Sequence, residues 1–231
     1  MPIRAICFDL DNTLWSIDPV IKQAEKALFD WLRQHYPKIP KQFSVNELAK
    51  RRQRLLEEQP ELLNNLGLLR KMGLAQAAVE AGYKAEIAEP AFEIFQQARH
   101  QVTFYPDVLP VLKRLQKRYI LGTLTNGSAD INRVGLGDIM SFSLMASDVN
   151  AAKPHPALFE AACQRASARP EEVVHVGDDE DCDVAGALAV GMKAVWLNRI
   201  YKTPSGKYQP HAIITNLGEL ERLLQTWEST L

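Results

Sequence analysis

The sequence is short of most features that mark a specialised class of protein. Its 231 residues hold three cysteines, Cys7, Cys163 and Cys182, with no Cys-x-x-Cys pair and no Cys/His spacing of the zinc type. An odd, scattered set predicts reduced thiols in the cytoplasm and argues against a disulfide framework. Neither sign of charge is in surplus: 27 Lys and Arg stand against 28 Asp and Glu, a formal net of −1. The basic field of a dedicated nucleic-acid binder is therefore missing. No apolar run nears the roughly 18 residues that span a bilayer. Asp9 and Asp11 fall where a signal peptide keeps its apolar stretch, which argues against secretion. These absences predict no nucleic-acid partner, no membrane and a cytoplasmic location. There is also no internal repeat and no low-complexity segment.

What is present is ordinary in bulk and uneven in order. Apolar residues make up 46% and charged residues 24%, the usual balance of a soluble globular protein. The length permits one large core, or a core with a small second module. Residues 3–10, IRAICFDL, read as a strand buried on both faces that ends in acid. No strand-like alternation follows in residues 18–101. Within 18–36, Ile21, Ala24, Leu28, Trp31 and Leu32 share one helical face. Asp18-Pro19 is the predicted N-cap and N1 pair, with Pro37 and Pro40 beyond the end. Ser44 with Glu47 predicts a capping box opening a helix to about Glu58. Helical patterns resume over 61–82 and 86–101.

After Pro106, strands and helices alternate. The order is helix 107–118, strand YILGTL, helix 128–134, weak strand 142–145, helix 155–167 and strand VVHVG. It continues with helix 182–190, strand KAVWL, a short strand at 211–214 and a helix from Leu217, with 200–210 as an exposed loop. This predicts an α/β fold: a Rossmann-like, mostly parallel sheet with helices on both faces, interrupted by an all-helical insert. Residues 1–16 and 102–231 would form the core domain, and 17–101 the insert.

Open parallel sheets bind ligands at the carboxyl ends of their strands. Three predicted ends carry unusual polar runs: Asp9-Leu10-Asp11-Asn12-Thr13, Thr125-Asn126-Gly127, and Gly177 through Asp183. Lys153 precedes Pro154 at a helix start between the second and third. Clustered carboxylates repel and need a cation, and oxygen ligands without His or Cys suit Mg²⁺. A nearby lysine and helix N-terminus favour an anion beside the metal. An ionised Asp can attack phosphorus to give an aspartyl-phosphate. A second carboxyl two residues on could protonate the leaving oxygen and then deprotonate the attacking water. A threonine hydroxyl and backbone N–H groups could hold the phosphoryl oxygens. The inventory fits phosphoryl transfer.

DLDNTL, TNG, KP and GDDEDCD, in that order, resemble the four motifs of the haloacid dehalogenase superfamily. The insert between the first and second resembles that family's helical cap of the first type. The resemblance implies Asp9 as nucleophile and Mg²⁺ ligand. It implies Asp11 as general acid/base, with its backbone carbonyl also on the metal. Thr125 and the Asn126 amide would bind the phosphoryl group, and Lys153 would bind phosphate and quiet the nucleophile's charge. Asp178 would ligate Mg²⁺ directly. Asp183 matches the second acidic position, acting through a water or through Lys153, while Asp179 stands where many relatives carry Ser and could serve the metal site instead. A cap closing over the crevice would exclude bulk water.

As the family is described, its dehalogenating members lack the second aspartate, so Asp11 implies a phosphatase or a sugar phosphomutase. The runs DPVI and WLRQHYP in the insert, TLTNGSADINRVGLGD, and HVGDD with DVAGA are similar to bacterial flavin mononucleotide phosphatases. Those are also assigned the 5-amino-6-(5-phospho-D-ribitylamino)uracil phosphatase step of riboflavin synthesis. The implied partner is a small phosphorylated metabolite, with other nucleotide or sugar phosphates as alternatives. A phospho-acceptor module or a catalytically silent binding protein is the contrasting non-enzyme reading. Trp15 could stack on a substrate ring or pack at the start of the insert. Lys50, Arg51, Arg52 and Arg54 could steer an anion or form a solvated helix face. Glu180 and Asp181 fit a helix N-terminus, and the five histidines form no ligand cluster.

Overall fold

Six short apolar segments pair into one sheet in the computed structural model, which describes residues 2–229. They are β1 (Ala5–Phe8), β2 (Ile120–Thr125), β3 (Phe142–Met145), β4 (Val173–Gly177), β5 (Lys193–Leu197) and β6 (Ala212–Ile214). The spatial order is β3-β2-β1-β4-β5-β6, and every pairing is parallel. β1 and β4 are buried along their whole length, as expected of central strands covered on both faces. The chain runs from β1 outward to β2 and β3, then returns to β4 on the other side of β1. The order therefore reverses between β1 and β4, the kind of switch point where α/β sheets open a crevice. Among the described residues, no helix is long and apolar enough to cross a membrane.

Contacts divide the chain into two units. The first, running up to Ser16, then Thr103–Thr125 and from Asp130 onward, contains the sheet. Its helices are α6 (Val108–Leu115), α7 (Ala146–Val149), α8 (Pro156–Ala166), α9 (Ala185–Val190) and α10 (Gly218–Ser229). Phe159, Leu158 and Ala162 of α8 and Ala187 of α9 pack with Trp196 and Leu124 of the sheet. The three cysteines are free thiols.

The second unit is Ile17–Val102 with Asn126–Ala129. Its helices are α1 (Ile17–His35), α2 (Lys38–Gln42), α3 (Val45–Glu58), α4 (Leu66–Glu80) and α5 (Ala88–Arg99). Leu28, Leu32, Leu48, Leu74, Ala77 and Phe95 lie in its core. The Ser44–Glu47 capping box is present with both reciprocal bonds.

Several local expectations shift. α1 begins at Ile17, so Pro19 lies inside the first turn instead of at its first position. Proline is tolerated there because the first N–H groups of a helix have no partner within it. A short α2 starts after Pro37, runs through the second predicted break with Pro40 in its first turn, and buries Ile39. The predicted helix over 128–134 is instead a set of turns at 131–135. Asp130 Oδ1 accepts the Asn132 N–H at 2.8 Å, and Gly135 has φ 84°. The aspartate side chain competes with the helix for a backbone donor, and the left-handed glycine ends the turn. The helix expected from residue 182 starts only at Ala185, after a wider turn over Glu180–Val184.

Candidate active site

Strand register brings Asp9 and Asp178 together, and the turn after β4 returns Asp183 to them. Phe8 is aligned with Thr123 on one side and Val176 on the other. The next residue, Asp9, extends the ladder by donating its N–H to the Val176 carbonyl at 2.9 Å. Asp9 therefore leaves β1 level with the Gly177-Asp178 end of β4. Carboxylate oxygens of Asp9, Asp178 and Asp183 all lie within 4.8 Å of one another.

Lys153 is the counter-ion and is 4% exposed. Its Nζ donates to Asp9 Oδ1 at 2.7 Å, to Asp183 Oδ1 at 2.6 Å and to the Leu124 carbonyl at 2.9 Å. An ammonium has three hydrogens, and these three acceptors account for them. Burial works against the charged lysine, but the two carboxylates outweigh it and hold its pKa above the usual value. One cation between two buried anions leaves negative charge uncompensated. Burial pushes the Asp9 carboxyl up to about 8, against the pull of Lys153 and with further push from Asp183 and Asp11. Asp178 rises to about 6, chiefly through burial and then through the Asp183 charge. Asp183 goes the other way: burial would raise it, but Lys153 and His175 together hold it below the usual carboxylate range.

The neighbours of this cluster are arranged by shape. A Cβ on Gly177 would run into the Asp183 carboxylate, so only glycine lets the Asp183 side chain approach the end of β4. The Asp179 N–H donates to Asp183 Oδ2 at 3.2 Å, and Trp196 Nε1 donates to the Asp178 carbonyl at 2.9 Å. His175 is fully buried, and its Nε2 lies 2.9 Å from Asp183 Oδ1. Its Nδ1 has no hydrogen-bond partner among the described residues. Burial lowers its pKa, against the Asp183 interaction, so the consistent form is the neutral ring with the proton on Nε2. The Phe159 ring meets it edge-on at 5.1 Å.

Thr125 is buried at the end of β2. Asp11 Oδ1 accepts the Trp15 indole N–H at 2.8 Å. Asn126 is grouped by its contacts with the helical unit. The Asp179 side chain accepts the Cys182 N–H at 2.8 Å, capping the turn that follows. Glu180 accepts from Ser205, and Asp181 pairs with Lys207 at 2.8 Å, so both pin the 200–210 loop. In the helical unit, Arg51 pairs with Glu80, and Arg52 reaches Glu25 at 3.2 Å. The basic run of α3 is thus partly ion-paired, not uniformly solvated. Sequence reasoning overlooked His175 and the Trp15–Asp11 bond. A lone histidine inside an otherwise apolar strand was the available signal, since buried polar groups find partners.

A family described as haloacid dehalogenase-like hydrolase matches residues 3–191. The chain belongs to that family. It is 31% identical to the 5-amino-6-(5-phospho-D-ribitylamino)uracil phosphatase YigB of Escherichia coli, covering 96% of each chain. It is 30% identical to a glyceraldehyde 3-phosphate phosphatase of Methanopyrus kandleri, over 90% of this chain and 86% of that one. Among solved structures, a 2-haloacid dehalogenase from Pseudomonas syringae superposes with a TM-score of 0.92 at 41% identity, covering 97% of this chain and 99% of that one. With phosphatases as its curated relatives, this haloacid dehalogenase-like hydrolase is a phosphatase.

Proposed function

We propose that the protein is a Mg²⁺-dependent phosphomonoester hydrolase that works through an aspartyl-phosphate on Asp9. Its substrate would be a small phosphorylated metabolite, either flavin mononucleotide or a phosphorylated riboflavin precursor. The observation that carries this reading is the close set of buried Asp9, half-buried Asp178 and buried Asp183, with Lys153 bridging the first and the last. Three carboxylates against Lys153 and the half-exposed Lys202, 3.9 Å from Asp178, leave a negative surplus that favours a further cation, and an oxygen-only donor set suits Mg²⁺. Asp9, Asp178 and the Asp11 carbonyl would hold the ion, with Asp183 acting through a water or through Lys153, and bound Mg²⁺ would supply the charge that lets a phosphate dianion sit beside carboxylates. The substrate preference is supported by the E. coli relative and by motif similarity along the chain.

In this reading an Asp9 carboxylate oxygen attacks phosphorus. The bond to the leaving oxygen breaks, its electron pair stays on that oxygen, and Asp11 supplies the proton. Water then attacks the same phosphorus and gives a proton to Asp11. The acyl phosphate P–O bond breaks and returns its pair to Asp9. Lys153 holds Asp9 in place throughout, and Thr125 with the Asn126 amide binds the phosphoryl oxygens. Because Asp9 is regenerated, each turnover releases one alcohol and one phosphate.

The test is phosphate release from flavin mononucleotide, the ribitylaminouracil phosphate, nucleotides and sugar phosphates, compared by kcat/KM. Asp9→Asn and Asp11→Asn should each reduce turnover at least about a thousandfold, or about 4 kcal/mol. Beryllium fluoride should trap against Asp9. Normal turnover by Asp9→Asn would overturn the nucleophile assignment. A second reading, hydrolytic removal of halide from a 2-haloacid, is favoured by the Pseudomonas syringae structure. Asp11 weighs against it, since a departing halide needs no proton. Halide release from 2-chloropropionate faster than phosphate release from every phosphomonoester would establish it.

A further inference from the structure

We propose that Trp15 is the positioning residue of the general acid/base: its indole N–H fixes Asp11 so that Oδ1 always accepts and the transferable proton is carried by Oδ2. The inference rests on the reading of Asp11 as acid/base. Trp15 is fully buried, so stacking on a substrate ring is not open to it. Its Nε1 lies 2.8 Å from Asp11 Oδ1. The indole N–H only donates, so the oxygen it holds must accept in both protonation states of the carboxyl. A proton on the carboxylic acid is thereby assigned to the other oxygen.

The contact is rigidly framed within the sheet-bearing unit. The Asn12 N–H donates to the Trp15 carbonyl at 2.7 Å, closing a tight loop between acid and indole. Asn12 sits at φ 62°, and the Leu14 N–H returns to the Leu10 carbonyl at 2.8 Å. On the far side, the Tyr105 N–H donates to the Leu14 carbonyl at 3.0 Å. The Phe104 ring meets the indole at 70°, with centroids 5.7 Å apart. A large, stiff ring with one polar edge, held on several sides, has little freedom to release that edge. In a partly buried setting such a hydrogen bond is also stronger than in water. The sequence spacing follows from the loop: the donor lies four positions after the acceptor, and the turn at Asn12 brings them face to face.

The test separates positioning from mere packing by the leaving group. p-Nitrophenolate departs without a proton, whereas an alkyl alkoxide requires one. Trp15→Phe keeps an aromatic ring and removes the donor. It should lower kcat/KM for an alkyl phosphate at least about tenfold more than for p-nitrophenyl phosphate. Asp11→Asn should show the same selectivity more strongly. 3-Benzothienylalanine at position 15, which replaces the N–H by sulfur in the same shape, should reproduce the Trp15→Phe pattern while keeping a cooperative unfolding transition. On the protein without metal or substrate, the indole proton resonance should lie downfield of its position in Asp11→Ala. An equal loss on both substrates, or none on either, would overturn the inference, as would an indole resonance unmoved by Asp11→Ala. If Asp11→Asn itself leaves turnover intact, the acid/base reading fails and this inference falls with it. If Asp11→Asn is selective and neither position-15 variant is, only the role of Trp15 is refuted.

Discussion

The two units bury charge in opposite proportions. In the sheet-bearing unit, one ammonium, Lys153, serves two carboxylates, Asp9 and Asp183. In the helical unit, one carboxylate, Glu25, receives two guanidiniums, Arg70 at 2.7 Å and Arg52 at 3.2 Å. Both clusters are sheltered: the Lys153 side chain is 3% exposed and that of Glu25 is 9% exposed. They differ in how the surplus is handled. The Arg70 guanidinium lies 3.6 Å from the Phe95 ring centroid, where a π face offsets part of its charge. Burial still draws Arg70 down to about 10, against the pull of Glu25. No aromatic face can serve the surplus anions around Asp9, because aromatic faces are themselves negative. The contrast supports the proposed reading, in which one cluster stands as structure while the other takes a cation and holds the nucleophile.

The largest effect should come from removing the cation that the carboxylates share. Lys153→Met would leave Asp9 and Asp183 buried without their common partner. Breaking one side of a buried pair costs about 3–5 kcal/mol, moderated when a carboxyl takes up a proton instead. Phosphate release should fall at least about a thousandfold, and the urea midpoint should drop with it. Turnover near wild type would dissolve the comparison, because the surplus of negative charge would then have no consequence.

A somewhat smaller effect concerns the missing charge itself. Carboxyl groups raised by folding keep protons that the unfolded chain has already released. Asp178 does so between 3.8 and about 6, and Asp9 up to about 8. Because the folded state binds more protons there, stability without metal falls as pH rises through that window. Mg²⁺ requires the ionised groups. Its stabilisation should therefore be larger near pH 8 than near pH 5, reaching about 2.7 kcal/mol at a hundredfold excess over Kd. Thermal unfolding with and without Mg²⁺ at the two pH values reads this directly. An equal Tm gain at both would mean that the raised carboxyls are not the metal's ligands.

Legibility in the sequence followed chain locality. The sheet, its order of strands and helices, and the acidic strand ends were readable, because each depends on a short run whose meaning is set by its neighbours. Asp9, Lys153, Asp178 and Asp183 could be nominated because four motifs stand in order along the chain and resemble those of one family, although each residue alone would read as turn chemistry or a solvated charge. The Trp15–Asp11 bond was not readable, since it depends on a left-handed Asn12 that nothing in DLDNTLW announces. His175 was passed over because its partner lies eight residues away and is reached only after β4 turns into the Glu180–Val184 segment. The turns at 131–135 replaced a predicted helix because Asp130 captured a backbone N–H, a competition that periodicity does not register. Asp179 and Asp183 could not be ranked by spacing. Tertiary contact separates them, with the Asp179 carboxylate on the Cys182 N–H and that of Asp183 on Lys153.

The smallest of these effects tests the helical side of the comparison. Glu25→Gln keeps the shape of the side chain and removes its charge, leaving Arg52 and Arg70 without an anion. The bonds from Arg52 and Arg70 both fall on Glu25 Oε1, and the amide oxygen can still accept there. The variant therefore isolates charge from hydrogen-bond geometry. The side chains of Arg52 and Arg70 are 18% and 12% exposed, so solvent recovers part of the loss and the full cost of a buried orphan charge does not apply. A decrease of about 2 kcal/mol in unfolding free energy is expected, read as a shift in urea midpoint at unchanged m-value. A decrease as large as that of Lys153→Met would make the two clusters equivalent, and the Phe95 face would then contribute nothing to Arg70. An unchanged midpoint would mean that the guanidiniums are adequately served without Glu25, so that only the cluster around Asp9 carries charge in need of compensation.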